Sequence, residues 1–509
     1  MSNPWNGKVV LEAFWRDCRN EACQDWYTYL ARLAPRLKSM GFDGIWTPAP
    51  CKGSCGIGRK DGVATKFGTM DSFLRMIAVC HANGLEVYPN IVLDHCDDGN
   101  PDSARNWFVW FVKQTGADGF RFDNVKGCPP EVVEDLLYNT MGSQTEYFCV
   151  AEYIGGSIGD QDGWCDATNN RCGVFDYHFR GSLVNLVESN GFFDMGSLPD
   201  AQQNNRYKTV PFVNNHDELG PTIDPDNPRA ALAYAVMAAV DGSPQVHYED
   251  LFVNFPPQRD SVDAKAIPTR SYVENIVWCH QKLEFKAGAY KVRYQGSQQL
   301  LIIERSAKAI IAVNNDGENW HNSWIPTDFG PNIELHDYSG TRPDSISTNA
   351  DGWVNIAVPP VSYSIWGPTG INGGFAPPVR STTQEFQMDD DLGDSNPASL
   401  GYGGKLISTA YRTAGAVWPA TNSMVTVTVY LDSPASVDLR VFSPDTLTGL
   451  KSTTSGNYSA SGNAPLVLTF HTAREGYHLI HARLTDANAA PVKAYIKVNY
   501  TGPGDSNLF

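Results

Sequence analysis

Short apolar segments alternate with longer amphipathic segments along roughly the first 285 residues of the chain. The short segments are rich in β-branched and aromatic residues and predict strands, whereas the longer ones repeat apolar residues every three to four positions and predict helices. Repeated strand-helix units build a parallel sheet, and eight of them predict an α/β fold of the (β/α)8 TIM barrel type over residues 1–286. The predicted strands are residues 9–14, 44–47, 85–93, 119–123, 148–153, 174–178, 210–214 and 245–248.

The pattern changes after the last predicted barrel helix, at residues 272–284. Alternating strands over 287–367 predict a small antiparallel β domain, and a Gly/Pro-rich and then acidic stretch over 368–400 predicts a linker. Further short strands over 401–509 predict a C-terminal β-sandwich, which is a candidate glycan-binding domain through Tyr402, Tyr411 or Trp418. Such aromatic residues are more often part of a core or a turn.

Charge and hydropathy narrow the classes of partner. The formal net charge of -17 disfavours nucleic acid and anionic membrane surfaces, because both present dense negative charge. No apolar run reaches the roughly 20 residues of a membrane span, so we expect no membrane insertion. A neutral substrate fits this chain better.

Cysteine usage and the first residues leave the compartment open. The 11 cysteines include near pairs such as Cys165 and Cys172, which can form loop disulfides in an exported protein or remain buried thiols in the cytoplasm. The first residues lack a basic and then apolar secretory pattern, although a signal can have been removed. Localisation, secreted or cytoplasmic, and oligomeric state stay undetermined.

Carboxylates follow several of the predicted strands. Active sites of such barrels lie at the carboxyl ends of the strands, so we expect Asp123, Glu152 and Asp217 to share one mouth. Retaining cleavage of a glycosidic bond needs a carboxylate nucleophile and a protonated carboxylic acid. Arg121 lies two residues before Asp123, and alternation along a strand predicts that both side chains face the barrel interior.

These strand ends, in this order, resemble the sequence signature of the α-amylase family, glycoside hydrolase family 13, over residues 8–285. The resemblance implies that Asp123 is the nucleophile, Glu152 the general acid/base and Asp217 the stabiliser of the transition state. It implies substrate-binding roles for four further residues, which are His95, Arg121, Lys126 and His216. The predicted function is retaining hydrolysis of α-1,4 bonds in starch or maltooligosaccharides through a covalent glycosyl-Asp intermediate.

The sequence departs from the family in several places. Many relatives insert a long excursion between strands three and four, but here only residues 96–118 intervene, and the loop at 51–61 lacks the usual Tyr and Asp. Both departures predict an open cleft and weak activity. Asp94 stands where the family usually has a calcium-binding Asn, so it is a candidate calcium ligand, and the alternative interpretation is a solvated acidic loop. No organic cofactor is expected.

Two other functions remain compatible with these residues. A transglycosylase or maltodextrin-active enzyme would use the same mechanism, because water and sugar compete for one covalent intermediate. A catalytically weak or inactive glycan-binding module would retain the barrel without turnover. Product analysis and a nucleophile variant distinguish these alternatives.

Overall fold

The computed structural model describes residues 7–502 except 16–17, 19–24, 51–64, 66, 94–104, 106, 109–110, 113–114, 141–146, 203–207, 218–221, 254–263, 265–266, 376–380, 388–411, 445–446, 449–450, 453–456, 487–489 and 491. Eight parallel strands form one sheet in the order β7-β6-β5-β4-β3-β2-β1-β8. A parallel bridge between Phe212 and Gln245 joins the segment after β7 to β8, so the sheet closes on itself. The strands are β1 Val10–Glu12, β2 Gly44–Thr47, β3 Glu86–Val92, β4 Gly119–Asp123, β5 Phe148–Ala151, β6 Gly173–Phe175, β7 Thr209–Val210 and β8 Gln245–His247.

Helices follow the barrel strands, and local sequence sets their ends. The side chain of Asp25 accepts a hydrogen bond from the backbone N–H of Thr28 and caps α1, while Gly41 ends that helix with φ at 109°. The α-helices are α1 Trp26–Met40, α2 Met70–Ala82, α3 Pro130–Glu134, α4 Ile158–Ala167, α5 Tyr177–Glu188, α6 Ala230–Ala239, α7 Tyr248–Leu251 and α8 Ser271–Lys282. Shorter 3-10 turns are Val125–Gly127, Met195–Asp200 and Phe285–Ala287, and Asp135–Thr140 is a π-helix.

The predicted TIM barrel is confirmed, with one local correction. The strand predicted at 174–178 ends at Phe175, because Asp176 accepts a hydrogen bond from the N–H of Phe179 at 3.0 Å and starts α5. The residues described between 105 and 115 are helical and leave β3 and β4 adjacent. None of the helices in the described residues has both the length and the apolar composition that crossing a membrane requires.

The second unit is antiparallel and packs its inner face around Trp366 and Ile356. A six-stranded sheet has the order β14-β13-β16-β11-β10-β9, and β12 pairs with β15 in a separate ribbon. Hydrophobic alternation predicts β9, β10, β11, β15 and β16 but misses the more polar β12 and the short β13 and β14. The strands are β9 Tyr290–Tyr294, β10 Leu300–Arg305, β11 Ala309–Asn314, β12 His321–Pro326, β13 Glu334–Asp337, β14 Ser345–Ser347, β15 Trp353–Val358 and β16 Ser362–Pro368.

The third unit is a sandwich of two four-stranded sheets, β17-β26-β19-β24 and β18-β25-β20-β23. The linker predicted over 368–400 needs correction, because β17 lies within it and pairs with β26 along its whole length. Its own sequence is too polar to identify it without that partner strand. The strands are β17 Ser381–Gln387, β18 Arg412–Val417, β19 Met424–Leu431, β20 Ser436–Phe442, β21 Leu447–Thr448, β22 Lys451–Ser452, β23 Tyr458–Asn463, β24 Leu466–His471, β25 His478–Leu484 and β26 Ala494–Thr501.

The sandwich packs against the barrel helix α2. Leu74 of α2 lies in one buried cluster with Phe442 and Leu479 of the sandwich. Trp418 packs against the same cluster and donates its indole N–H to Glu475 at 3.0 Å. Trp418, one of the aromatic candidates for glycan binding, therefore lies in the contact between the two units, while Tyr402 and Tyr411 lie outside the described residues.

Candidate active site

Arg121 and Asp123 extend from β4 towards the mouth of the barrel. β4 starts at Gly119, where an added Cβ would lie 1.9 Å from the carbonyl oxygen of Phe148, so only glycine allows β5 to approach this closely. The Arg121 side chain is fully buried, and its guanidinium lies 4.8 Å from the ring centroid of Trp46. Its Nη1 donates to Asp123 and, at 3.0 Å, to the side-chain oxygen of Asn90. The predicted shared face of Arg121 and Asp123 is confirmed.

Glu152 directly follows β5 and contacts the same guanidinium. Its Oε1 lies 2.8 Å from Nη2 of Arg121, and Tyr177 donates to this oxygen at 3.3 Å. Its Oε2 accepts the backbone N–H of Asn124 at 3.0 Å. Only about 4% of the Glu152 side chain is exposed, compared with about 30% for Asp123. One arginine therefore holds two carboxyl groups of unequal exposure.

The surroundings of Glu152 favour its protonated form. Burial is the largest influence and raises the pKa, because the charged form loses hydration. The charges of Asp123 and Asp217 raise the pKa further, whereas Arg121 and the N–H of Asn124 lower it. The net shift is upward, which is the direction that a general acid requires.

His216 and Asp217 come after β7 in the chain. The Nε2 atom of His216 lies 3.4 Å from Oδ2 of Asp217, and its ring lies 4.6 Å from that of Phe14. The charge of Asp217 also raises the pKa of Glu152. The structure thus brings together Asp123, Glu152, Asp217, Arg121 and His216.

Glu12 at the end of β1 is a residue that sequence reasoning missed. It is fully buried, and its Oε1 lies 2.6 Å from Nδ1 of His216. Its Oε2 accepts from Gln245 at 2.7 Å and lies 3.0 Å from Nδ1 of His247. A charged residue inside an apolar strand was the only available signal, and its partners are on β8 and after β7.

Electrostatics fixes the ionised form of Glu12. Burial alone would raise its pKa, but the charge of His247 and hydrogen bonds from both histidines outweigh burial and lower the pKa to about 2. Burial lowers the pKa of His247, yet the charge and hydrogen bond of Glu12 raise it to about 10. Glu12 and His247 are thus a buried ion pair that also fixes the ring of His216.

The remaining predicted site residues are Lys126, His95 and Asp94. Lys126 is exposed in the turn after β4, and a Cβ added at Gly155 would lie 3.4 Å from its Nζ atom, so the lysine reaches the loop after β5. His95, Asp94 and the loop at 51–61 lie outside the described residues. Within the described ranges, no group of three or more His, Cys, Asp or Glu side chains could hold a metal ion. Cys165 and Cys172 are buried there as thiols without a disulfide.

Known proteins match both the barrel and the second unit. The family model described as Alpha-amylase C-terminal matches residues 309–367. A glucan 1,4-alpha-maltohexaosidase from Bacillus sp. (strain 707) is 27% identical over 298 residues, which cover 55% of this chain and 54% of that protein. An alpha-amylase from Geobacillus stearothermophilus is 22% identical over 502 residues, covering 71% and 88%. These matches are all to α-amylases and related glucan hydrolases, and they indicate similarity to the α-amylase family.

The fold agrees with that similarity. A solved Anoxybacillus alpha-amylase superposes with a TM-score of 0.58 at 16% identity, over 72% of this chain and 98% of that one. The predictions of the α-amylase family and of a barrel followed by β domains are confirmed, and the relatives support a glycoside hydrolase. The match spans about half the length of the Bacillus relative, so the substrate and reaction of this chain are matters for proposal.

Proposed function

We propose that the protein is a retaining α-glucan hydrolase of the α-amylase type, which cleaves α-1,4 bonds in starch or maltooligosaccharides. The observation that carries this proposal is the contact of one buried guanidinium with both Asp123 and Glu152. The more exposed Asp123 pairs with Arg121, while burial favours the protonated form of Glu152. A nucleophile and an acid are therefore adjacent, as glycosidic cleavage requires.

The reaction then takes two displacements at the anomeric carbon. A carboxylate oxygen of Asp123 bonds to this carbon as its bond to the leaving sugar breaks, and Glu152 donates a proton to the departing oxygen. Glu152, now ionised, takes a proton from water, whose oxygen bonds to the anomeric carbon and releases Asp123. Asp217 and His216 lie where they can hold sugar hydroxyls and stabilise positive charge on the ring.

Reducing-sugar release from soluble starch tests the proposal. We expect the parent protein to release sugar and Asp123→Asn to lose about 10⁴-fold or more in kcat, since the nucleophile is removed. Asp200→Asn, at an exposed position in the Met195–Asp200 turn, is a matched control that should keep full activity. Equal release by parent and Asp123→Asn would overturn the assignment of Asp123.

Chromatography of the products separates the alternatives. Shorter maltooligosaccharides alone support hydrolysis, whereas products longer than the starting oligosaccharide show transfer to sugar. Glucan binding without any release by the parent would support a binding module. Comparing turnover of long and short maltooligosaccharides tests the open cleft. An open cleft predicts weak turnover that differs between long and short chains, and equal turnover would oppose it.

Calcium remains a separate proposal based on Asp94. Carboxylate and carbonyl oxygens bind calcium, and Asp94 comes directly after Leu93, beside the strand whose Asn90 contacts Arg121. If calcium binds there, EDTA should lower activity severalfold and lower Tm, and added Ca²⁺ but not Mg²⁺ should restore both. Activity and Tm unchanged by EDTA would favour the solvated acidic loop, and Asp94→Ala should then behave like the parent.

A further inference from the structure

Three tryptophans are exposed on one ribbon of the second unit. Trp320 and Trp324 are each 56% exposed and Trp353 is 41% exposed, although indole side chains usually lie largely buried. The other exposed large hydrophobic residues of the described chain lie elsewhere. Exposed apolar side chains that cluster, unlike single ones, mark binding surfaces.

The pairing of β12 with β15 places Trp324 and Trp353 on the same side of the ribbon, and Trp320 directly precedes β12. Trp324 is opposite Asn355, and Trp353, two residues from Asn355, is opposite Pro326. Trp324 and Trp353 are therefore diagonal neighbours, about 7–8 Å apart at their backbones. The intervening Ile325 and Val354 point to the opposite side and are buried in the core of this unit.

The same alternation extends the surface beyond two rings. Trp320, Asn322 and Trp324 are all exposed at every second position, and four residues of extended chain span about 13 Å. This length exceeds a single pyranose ring. A ligand that covers Trp320, Trp324 and Trp353 together must be a chain of several units.

Polar groups on this surface are amides rather than charges. Asn322 is exposed, and Asn355 is half-buried between the tryptophan positions. The guanidinium of Arg342 lies 5.4 Å from the ring centroid of Trp320, but it is paired with Asp344. Flat apolar rings beside neutral amides match the alternating CH faces and hydroxyl groups of a sugar chain.

We propose that the surface of Trp320, Asn322, Trp324, Trp353 and Asn355 binds a second segment of an α-glucan chain, away from the barrel mouth. This inference rests on the proposed function, because the same polymer would be the substrate. The net charge of -17 favours a neutral ligand over an anionic one. It also disfavours a second copy of the chain, because two copies with this charge repel each other. The surface would hold the protein on long glucans without acting on short ones.

Retention on starch tests this surface in the full-length protein. The double change Trp324→Ala and Trp353→Ala is made in the Asp123→Asn background, so that the polymer is not degraded, and partition onto granular starch is measured. We expect at least a fivefold loss of retention. Phe192→Ala removes an aromatic side chain that is 93% exposed elsewhere and should leave retention unchanged.

Activity measurements separate this proposal from the proposed function. With Asp123 intact, the double variant should keep the parent kcat and KM on maltotriose and lose rate only on granular starch. A starch-inactive parent would refute the proposed function, whereas unchanged retention of the double variant would refute only the surface. If the alanine variant does not fold, the variant with Trp324→Tyr and Trp353→Tyr should keep most of the retention on starch. Asn322→Ala should weaken retention about twofold. Unchanged retention of Asn322→Ala would count against the proposal.

Self-association is the competing outcome. If the tryptophan changes convert an oligomer into a monomer in light scattering and leave starch retention intact, this surface is a subunit interface and the proposal is wrong. An equal loss of turnover on maltotriose and on granular starch would also overturn it, because that pattern indicates damage to the barrel.

Discussion

Two groups of carboxylates lie at the strand ends of the same barrel, and their surroundings differ. Glu12 at the end of β1 is enclosed with His247, His216 and Gln245, and its pKa falls to about 2. Glu152 after β5 is also buried, but it shares the single guanidinium of Arg121 with Asp123, and its pKa rises. The same chemical group is locked as an anion in one place and favoured as an acid in the other.

The difference lies in the number of positive partners for each negative group. Glu12 has a charged histidine of its own, so attraction outweighs the loss of hydration. Asp123 and Glu152 have one arginine for two carboxyl groups, and neighbouring like charges then favour protonation of the more buried one. A shortage of counter-charge is thus what separates an acid from a structural anion in this barrel.

Among the changes to these two groups of carboxylates, removing Arg121 should produce the largest loss of activity. In Arg121→Met the two carboxyl groups lose their shared cation, so the pKa of Glu152 should rise further and Asp123 loses its charged partner. We expect about a 10³-fold loss of kcat on maltooligosaccharides. Steady-state kinetics measures this, with the melting temperature as a check that the barrel remains folded.

The matched control is Arg121→Lys, which keeps the charge but not the two-pronged geometry of the guanidinium. Its kcat should fall between those of the parent and Arg121→Met. A folded Arg121→Met variant within tenfold of the parent would show that the shared cation does not set the ionisation of this pair.

Removing the charge of Glu12 should act mainly on stability. Glu12→Gln leaves His247 without a counter-charge, and we expect a loss of about 3 kcal/mol in the free energy of unfolding near pH 5.5. The folded pKa of Glu12, about 2, lies below its unfolded value, so its contribution is present above about pH 4.3 and is lost as pH falls. The folded pKa of His247, about 10, is raised, so its contribution is complete below about pH 6.5 and is lost as pH rises towards 10.

Urea unfolding at several pH values measures this effect. The stability difference between parent and Glu12→Gln should shrink towards both pH 2 and pH 10, and a cycle with His247→Gln should show that the two changes are not additive. A difference independent of pH would mean that Glu12 acts through packing rather than through its charge.

The smallest expected effect concerns Tyr177. Its hydroxyl donates to Oε1 of Glu152 at 3.3 Å and so favours the ionised carboxylate. In Tyr177→Phe the pKa of Glu152 should rise, and the basic limb of the pH profile of kcat/KM should move up by about 0.5 pH unit. Tyr153→Phe, which removes a hydroxyl on the loop after Glu152, is the control; a downward shift in Tyr177→Phe alone would contradict the proposed contact.

Local sequence patterns were enough to predict the barrel and the second unit, because strand and helix periodicity is a property of neighbouring residues. They were also enough to place Arg121 and Asp123 on one face, since alternation along β4 fixes that relation. The polar strands β12 and β17 were missed, because they have too little apolar alternation of their own. Hydrogen bonds to their partner strands β15 and β26 define them. The functional roles of all the predicted site residues stay predictions, and His95 and Asp94 lie outside the described residues.

The sequence by itself determined which carboxylates end the barrel strands and in which order they occur. Tertiary structure alone decided their charge states, because a pKa depends on burial and on charges that arrive from distant parts of the chain. Glu12 meets His216 and His247 across 204 and 235 residues of sequence. Glu152 meets Arg121 only because β4 and β5 are paired, and the burial that comes with this position raises its pKa.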